Sequence, residues 1–243
     1  MKIYGNSDIG LVRHANEDSF RCESFSENTA LLVVCDGMGG ANGGSTASRM
    51  AVDTVYTVLS EGLHENMDSD GIKKLLLQAV GEANTVVYRS SLTEPELSGM
   101  GTTVVAAVLQ EEKAYIVHVG DSRAYHVGPE RITQLTTDHS MVQELVRSGD
   151  LTALQAKTHP QKNIITRAVG VNETVAADYM QESLSPGDVL LLCTDGLTNY
   201  VEDDTILESV QSEPLEHFCN DLIALAKEHG GGDNITIAAA KYC

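Results

Sequence analysis

Four acids stand where apolar runs stop or start. LLVVCDG ends on Asp36 and Gly37, LLLCTDG on Asp195 and Gly196, and IVHVGDS on Asp121. Asp233, in GGGDN, directly precedes the run NITIAAA, and a further pair, Glu17 and Asp18, lies near the N-terminus. One Asp-Gly pair alone reads as a hairpin turn. Asp36, however, leads into GMGGANGG and then a helical pattern, which is no hairpin. Carboxylates at the ends of buried strands are costly unless paired or metal-bound, and Arg13 and Arg123 are the bases that stand out nearby. Hard divalent cations such as Mg²⁺ and Mn²⁺ take oxygen ligands, a few of them carboxylates. A short Asp on a strand end fixes its oxygens well, and Gly37 would let a backbone carbonyl approach an ion. Several acids overcharge a single ion. Two ions about 3.5–4 Å apart, bridged by Asp36, balance them better and would activate water against a phosphoryl group.

The elements that must hold these acids follow from periodicity. Residues 29–36 read as a buried strand, followed by a helix in GSTASRMAVDTVYTVLSEGL with Ser45 and Thr46 as candidate caps. A second helix is expected over about 69–88, then a loop in SSLTEPELSGMG. GTTVVAAVLQ, KAYIVHVGD, SRAYHVG and ERITQLT read as strands of an antiparallel meander. DHSMVQELVRSGD and LTALQAK read as two short helices, DVLLLCTDG as a strand leading into a loop, EPLEHFCNDLIALAKEHG as a helix and NITIAAAKY as the last strand. Strands and helices in blocks predict an α+β fold, sheets covered outside by helices, in one domain spanning 1–243.

Composition narrows the function. The 243 residues are 42% hydrophobic and 21% charged, as in ordinary globular proteins. The 35 acids against 16 bases give a net charge of −19, which repels nucleic acid and anionic lipid. Neither a signal-peptide core nor a membrane-span run is written here, so a cytoplasmic protein is expected. The five cysteines are widely spaced with no CxxC pair, which fits a reducing compartment.

In order along the chain stand GLVRHANED, LLVVCDGMGG, SGMGTTVVAA, VGDSRAY, LTTDHSMVQELVRSGDL, HPQKNIITRAVG, GDVLLLCTDGLT and GGGDNITI. Together these resemble the metal-dependent serine/threonine protein phosphatases of type 2C in their short bacterial form. The resemblance implies a four-layer sandwich, two antiparallel sheets packed face to face with helices on both outer sides. It implies two Mn²⁺ or Mg²⁺ ions, bridged by Asp36 with the Gly37 carbonyl on one. Asp195 and Asp233 would complete one site, and Glu17 or Asp18 the other. Asp121 with Asp195 would hold a third, weaker ion, and Arg13 would grip the substrate phosphate. Asp36, Asp195 and Arg13 are thus the candidate catalytic residues, with Asn234 behind the ligands. Residues from about 138 to 165 would form a flap near the site. The implied partners are phosphorylated proteins, including a serine/threonine kinase and its substrates, met by a monomer.

One departure matters. Where many relatives carry a histidine, this chain has Met38 and Ala41, neither of which donates a proton. His14 and His139 are the histidines nearest the motifs, and both are weighed as surface or structural residues, with His118 as a core residue. A cysteine phosphatase, an aspartyl-phosphate phosphatase, a nucleotide P-loop and a GxSxG hydrolase all lack their required residues. Two other readings stay open: a non-catalytic phosphoprotein-binding module, and a small-molecule phosphatase on the same fold.

Overall fold

The computed structural model describes residues 1–39, 43–65, 67–210 and 214–243. The chain opens with strands β1 (Lys2–Asp8), β2 (Asp18–Ser26) and β3 (Thr29–Met38), then helices α1 (Gly43–Gly62) and α2 (Ser69–Thr93). A 3₁₀ turn at Pro95–Leu97 leads to β4 (Gly101–Thr102), β5 (Val104–Gln110), β6 (Lys113–Val119), β7 (Arg123–Val127) and β8 (Ile132–Gln134). Helices α3 (Met141–Ser148) and α4 (Ala153–Lys157) follow, then β9 (Asp178–Ser183) and β10 (Val189–Cys193). The chain closes with α5 (Asp195–Thr198), α6 (Asp203–Val210), α7 (Leu215–Glu228) and β11 (Ile235–Lys241).

Two antiparallel sheets result. One is five-stranded in the order β1-β11-β10-β7-β8; the other runs β2-β3-β5-β6-β9, with β4 pairing against the end of β3. Strand alternation sets the layers. In β3, Leu31, Val33 and Cys35 pack on Ala51, Val55 and Leu59 of α1 and on Ile72, Leu76 and Val80 of α2. Ala30, Leu32 and Val34 point the other way and meet Leu190, Leu192, Ala238 and Ala240 of the opposite sheet. On the far side, Leu191, Ile237 and Ala239 bury Phe218 and Leu222 of α7. The result is the α+β sandwich expected, helices outside and sheets face to face.

The structure corrects several local expectations. The strands from β5 to β8 are not one meander: β6 pairs with β5 and β9, whereas β7 belongs to the other sheet, beside β10 and β8. The chain changes sheets at Gly120, whose φ of +107° suits glycine and whose added Cβ would lie 2.6 Å from Thr103 Cγ2. Ser45 and Thr46 lie inside the first turn of α1, which begins at Gly43, ahead of both candidate caps. Helix α2 continues to Thr93 with Asp68 as its cap, so the expected loop starts later. Asp195 opens α5 directly rather than leading into a loop. Strands β1, β2 and β9 and helix α6 were not expected. Among the described residues no helix is long and apolar enough to cross a membrane.

Candidate metal centre

Asp36 shares the parity of Leu32 and Val34, which puts its carboxylate on the inter-sheet side of β3. Strand β3 runs two residues beyond it, to Met38. Its backbone is held from both sides: Asp36 N–H donates to Thr103 Oγ1 at 2.8 Å, and Thr102 Oγ1 and Thr103 N–H each donate to its carbonyl at 2.8 Å. Directly opposite on β2 stands Asp18. Thr194, just after β10, and Thr236 on β11 reach across from the other sheet, and their hydroxyls donate to Asp18 Oδ2 at 2.9 and 2.7 Å.

The remaining acids converge on this mouth between the sheets. Burial, and then the fields of Asp18, Asp195, Asp121 and Asp233, push the Asp36 carboxyl well above its usual range. Burial likewise pushes Asp18 and Asp121 up to about 7, and raises Asp195 and Glu17. Arg13 donates from Nη2 to Asp233 Oδ2 at 2.9 Å and feels the fields of Glu17 and Asp36. All the sequence-predicted site residues therefore fall in one place. Asp121 does not pair with Arg123. That guanidinium grips Asp138 instead, at 2.9 and 2.7 Å.

Glycine at 37 has a packing reason. An added Cβ would lie 2.1 Å from the Gly44 carbonyl oxygen and 2.6 Å from that of Glu17, so the start of α1 and the Glu17 backbone press on this residue. Asn234 ties backbone segments beside these acids: its Oδ1 accepts from Glu17 N–H at 2.8 Å, and its Nδ2 donates to the carbonyls of Ile9 and Ala15. This ties the Glu17 loop to the segment carrying Asp233. Met38 lies at the end of β3, and Ala41 lies outside the described residues. His14 is exposed and His139 buried.

Sequence reasoning missed several neighbours. Asn199 Nδ2 donates to Asp195 Oδ2 at 2.9 Å, and Lys162 Nζ donates to Asn199 Oδ1 at 2.9 Å. The signal for Asn199 was its spacing of four from Asp195, one helical turn. Thr194 and Thr236 carry the only hint of their role in their parity with inward residues of β10 and β11. Nothing local marks Lys162.

These residues fit divalent cations. Asp18 Oδ1 and Asp195 Oδ1 are buried with no hydrogen-bond partner among the described residues. Buried carboxylate oxygens left so need a counter-charge. Arg13 hydrogen-bonds to Asp233 at the rim and, among the described residues, contacts neither Asp18 nor Asp36. Oxygen-only donors of this kind select hard ions.

The protein phosphatase 2C pattern matches residues 12–231. The chain belongs to the protein phosphatase 2C family. It is a serine/threonine phosphatase, a hydrolase, in a family that depends on metal. It is 38% identical to the serine/threonine phosphatase stp of Listeria monocytogenes, over 95% of this chain and 92% of that protein. The serine/threonine phosphatase Stp1 from Staphylococcus aureus superimposes with a TM-score of 0.93 at 35% identity, over 100% of this chain and 95% of that one. The catalytic domain of the serine threonine protein phosphatase PstP, solved in complex with two manganese ions, superimposes with a TM-score of 0.84 at 32% identity, over 99% of this chain and 97% of that one.

Proposed function

We propose that this chain hydrolyses phosphoserine and phosphothreonine in proteins at the mouth between its two sheets. The observation that carries this reading is the group of carboxylates gathered around Asp36, two of whose oxygens, Asp18 Oδ1 and Asp195 Oδ1, are buried with no hydrogen-bond partner among the described residues. Asp36 would bridge two Mn²⁺ or Mg²⁺ ions, with the Gly37 carbonyl on one. Asp195 and Asp233 would hold one ion and Glu17 or Asp18 the other, and Asp121 with Asp195 a third, weaker one. When bound, such ions make water acidic enough to attack phosphorus near neutral pH and neutralise the phosphoryl charge.

The chain's own groups do the rest. Asp36 is fixed at its amide and its carbonyl, so its carboxylate is placed before any ligand arrives. Thr194 and Thr236 orient Asp18, and Asn199 orients Asp195. Arg13, half exposed at the rim, uses only Nη2 on Asp233 among the described contacts, which leaves further N–H donors for a phosphate oxygen. Met38 carries no transferable proton, so the leaving serine or threonine oxygen takes its proton from solvent. The segment 138–165 would act as a flap beside this mouth, on a single domain of 1–243. A monomer in the cytoplasm, acting on a serine/threonine kinase and that kinase's substrates, belongs to the same reading.

The test is phosphate release from phosphothreonine and phosphotyrosine peptides with added Mn²⁺, before and after chelation. Release from phosphothreonine peptides that stops on chelation is expected. Faster release from phosphorylated metabolites than from phosphopeptides would overturn the protein substrate, and equal release after chelation would overturn the metal.

A further inference from the structure

The segment that leaves β8 and returns toward β9 closes on itself in a narrow neck. Ser140 bridges Ile165, Met141 N–H donates to the Ile164 carbonyl at 2.8 Å, and Thr166 N–H donates to the His139 carbonyl at 2.7 Å. His139 thus stands at the end of the neck where the segment leaves the body of the fold, and it is buried. Its backbone N–H and its Nδ1 both meet one residue, Gly120. His139 N–H donates to the Gly120 carbonyl at 2.9 Å, and Gly120 N–H donates to His139 Nδ1 at 3.1 Å. Gly120 is where the chain changes sheets, and Asp121 is the next residue.

The Gly120 N–H can only donate, so Nδ1 accepts from it and is the unprotonated nitrogen of the ring. Nε2 faces Asp178 Oδ2 at 3.3 Å and Arg167 Nη1 at 3.2 Å, and the same Nη1 donates to the other oxygen of Asp178 at 2.9 Å. Arg167 directly follows Thr166 in the neck. Both strands of the neck and the first residue of β9 therefore meet on this one ring.

The same cluster offers three donors, on His118, His139 and Asp178, within 4.8 Å of one another. It does not suit a metal. The two rings stack with centroids 4.5 Å apart and planes at 19°. Lone pairs that lie in nearly parallel, face-to-face rings do not converge on one point. Asp178 is already taken by a guanidinium, and His139 Nδ1 by an amide.

We propose that His139 is a positioning residue through which the neck of the 138–165 segment sets the place of the Asp121 carboxylate. The link is short: the ring accepts from Gly120, the neighbouring residue carries the acid, and the excursion hangs from His139 and Thr166. A shift of the segment at its neck moves the ring's acceptor and with it the Gly120–Asp121 turn. The proposal rests on Asp121 serving the metal centre, as set out under the proposed function.

His139→Asn keeps an acceptor at the place of Nδ1, because the amide oxygen lies the same number of bonds from the backbone. His139→Gln moves the amide one carbon further out, to the place of Nε2, and leaves Gly120 N–H without its acceptor. In chelator-treated protein, amide hydrogen exchange at Gly120 should quicken about tenfold in His139→Gln and less in His139→Asn. Mn²⁺ binding followed by calorimetry should lose its weak phase in His139→Gln while the tight phase remains. On a phosphothreonine peptide, kcat should fall about tenfold in His139→Gln with KM little changed, and several-fold less in His139→Asn. In an Asp121→Ala background, His139→Gln should add no further loss, as two changes on one path do not add. Asp178→Ala, at a half-exposed position, frees the other edge of the ring and should show a smaller loss with the same dependence on Asp121.

Equal losses from His139→Gln with and without the Asp121 carboxylate would overturn the proposal, and so would indistinguishable Asn and Gln variants. If His139→Gln does not fold, Asp178→Ala decides: no loss, or the same loss in both backgrounds, overturns it. An Asp121→Ala protein with wild-type Mn²⁺ binding and turnover would instead overturn the assignment of Asp121 on which the proposal rests, whatever Gly120 exchange shows.

Discussion

Asp18 and Asp36 face each other across the β2–β3 ladder, and the hydroxyls of Thr194 and Thr236 both end on one oxygen of Asp18. A buried and a half-buried carboxylate on neighbouring strands repel unless a proton or a cation lies between them. In the metal-free protein the proton does this work. Asp18 and Asp121 hold theirs up to about pH 7 in the fold, against 3.8 for an ordinary Asp, and the Asp36 carboxyl is also raised well above its usual range. The folded state then binds more protons than the unfolded chain across that window, so its stability is lost as pH rises through about 7. His118, held down to about 4, and His139, also lowered, act oppositely, but only below about 6.5 where the unfolded imidazoles charge. Chelator-treated protein should therefore melt higher at about pH 6.5 than at about pH 8. Saturating Mn²⁺ should reverse that order, since protons compete with the ion. A metal-free melting temperature that rises from pH 6.5 to 8 would show that these acids are not held protonated.

The same crowding separates stability from function at Asp36. Asp36→Asn puts a neutral amide where burial and four other acids disfavour a carboxylate. The metal-free variant should be no less stable than wild type. It should gain little melting temperature from Mn²⁺, and turnover on a phosphothreonine peptide should fall by about a thousandfold or more. A folded Asp36→Asn protein with near-wild-type turnover would remove Asp36 from the centre.

The acids of the site were legible because β3 and β10 are apolar on both faces, so a carboxylate at their ends stands out. Strands β1, β2 and β9 were not legible for the opposite reason. They lie at sheet edges, half exposed, and KIYGNSD, DSFRCESFS and DYMQES carry too few apolar residues to show a period. The sheet change at Gly120 was hidden because Gly-Asp between two strands looks the same whether the chain folds back or crosses over. The hydroxyls of Thr194 and Thr236 and the ammonium of Lys162 reach the site only through tertiary packing, which leaves no local pattern to read.

Lys162 and Asn199 form a chain onto Asp195, and each link has its own expected cost. Asn199 donates to the carboxylate and fixes its rotation. Lys162 holds Asn199 and lowers the Asp195 carboxyl through its charge. Asn199→Ala should cost about tenfold or more in kcat or in Mn²⁺ affinity, in the manner of groups that orient a metal ligand. Lys162→Met should cost less, and the pair should cost no more than Asn199→Ala alone, because Lys162 acts through Asn199. Steady-state kinetics with Mn²⁺ titrations on the three variants decide it. Additive losses would mean that Lys162 contacts substrate on its own account.

Arg13 offers the plainest contest between a structural and a substrate role. Its ion pair with Asp233 is at the surface, with side chains 49% and 27% exposed, and pairs so exposed contribute about 0–1 kcal/mol. Arg13→Ala should therefore shift the melting temperature little. If the guanidinium also takes the substrate phosphate, the same change should raise KM for a phosphopeptide by about tenfold or more, with a smaller drop in kcat. Arg13→Lys keeps the charge but loses the planar fork, so it should recover only part of the KM. Inorganic phosphate gives the independent check, as its inhibition constant should rise in step with KM. An unchanged KM together with a lowered Mn²⁺ affinity would place Arg13 with Asp233, as a group that orients the acid and does not touch the substrate.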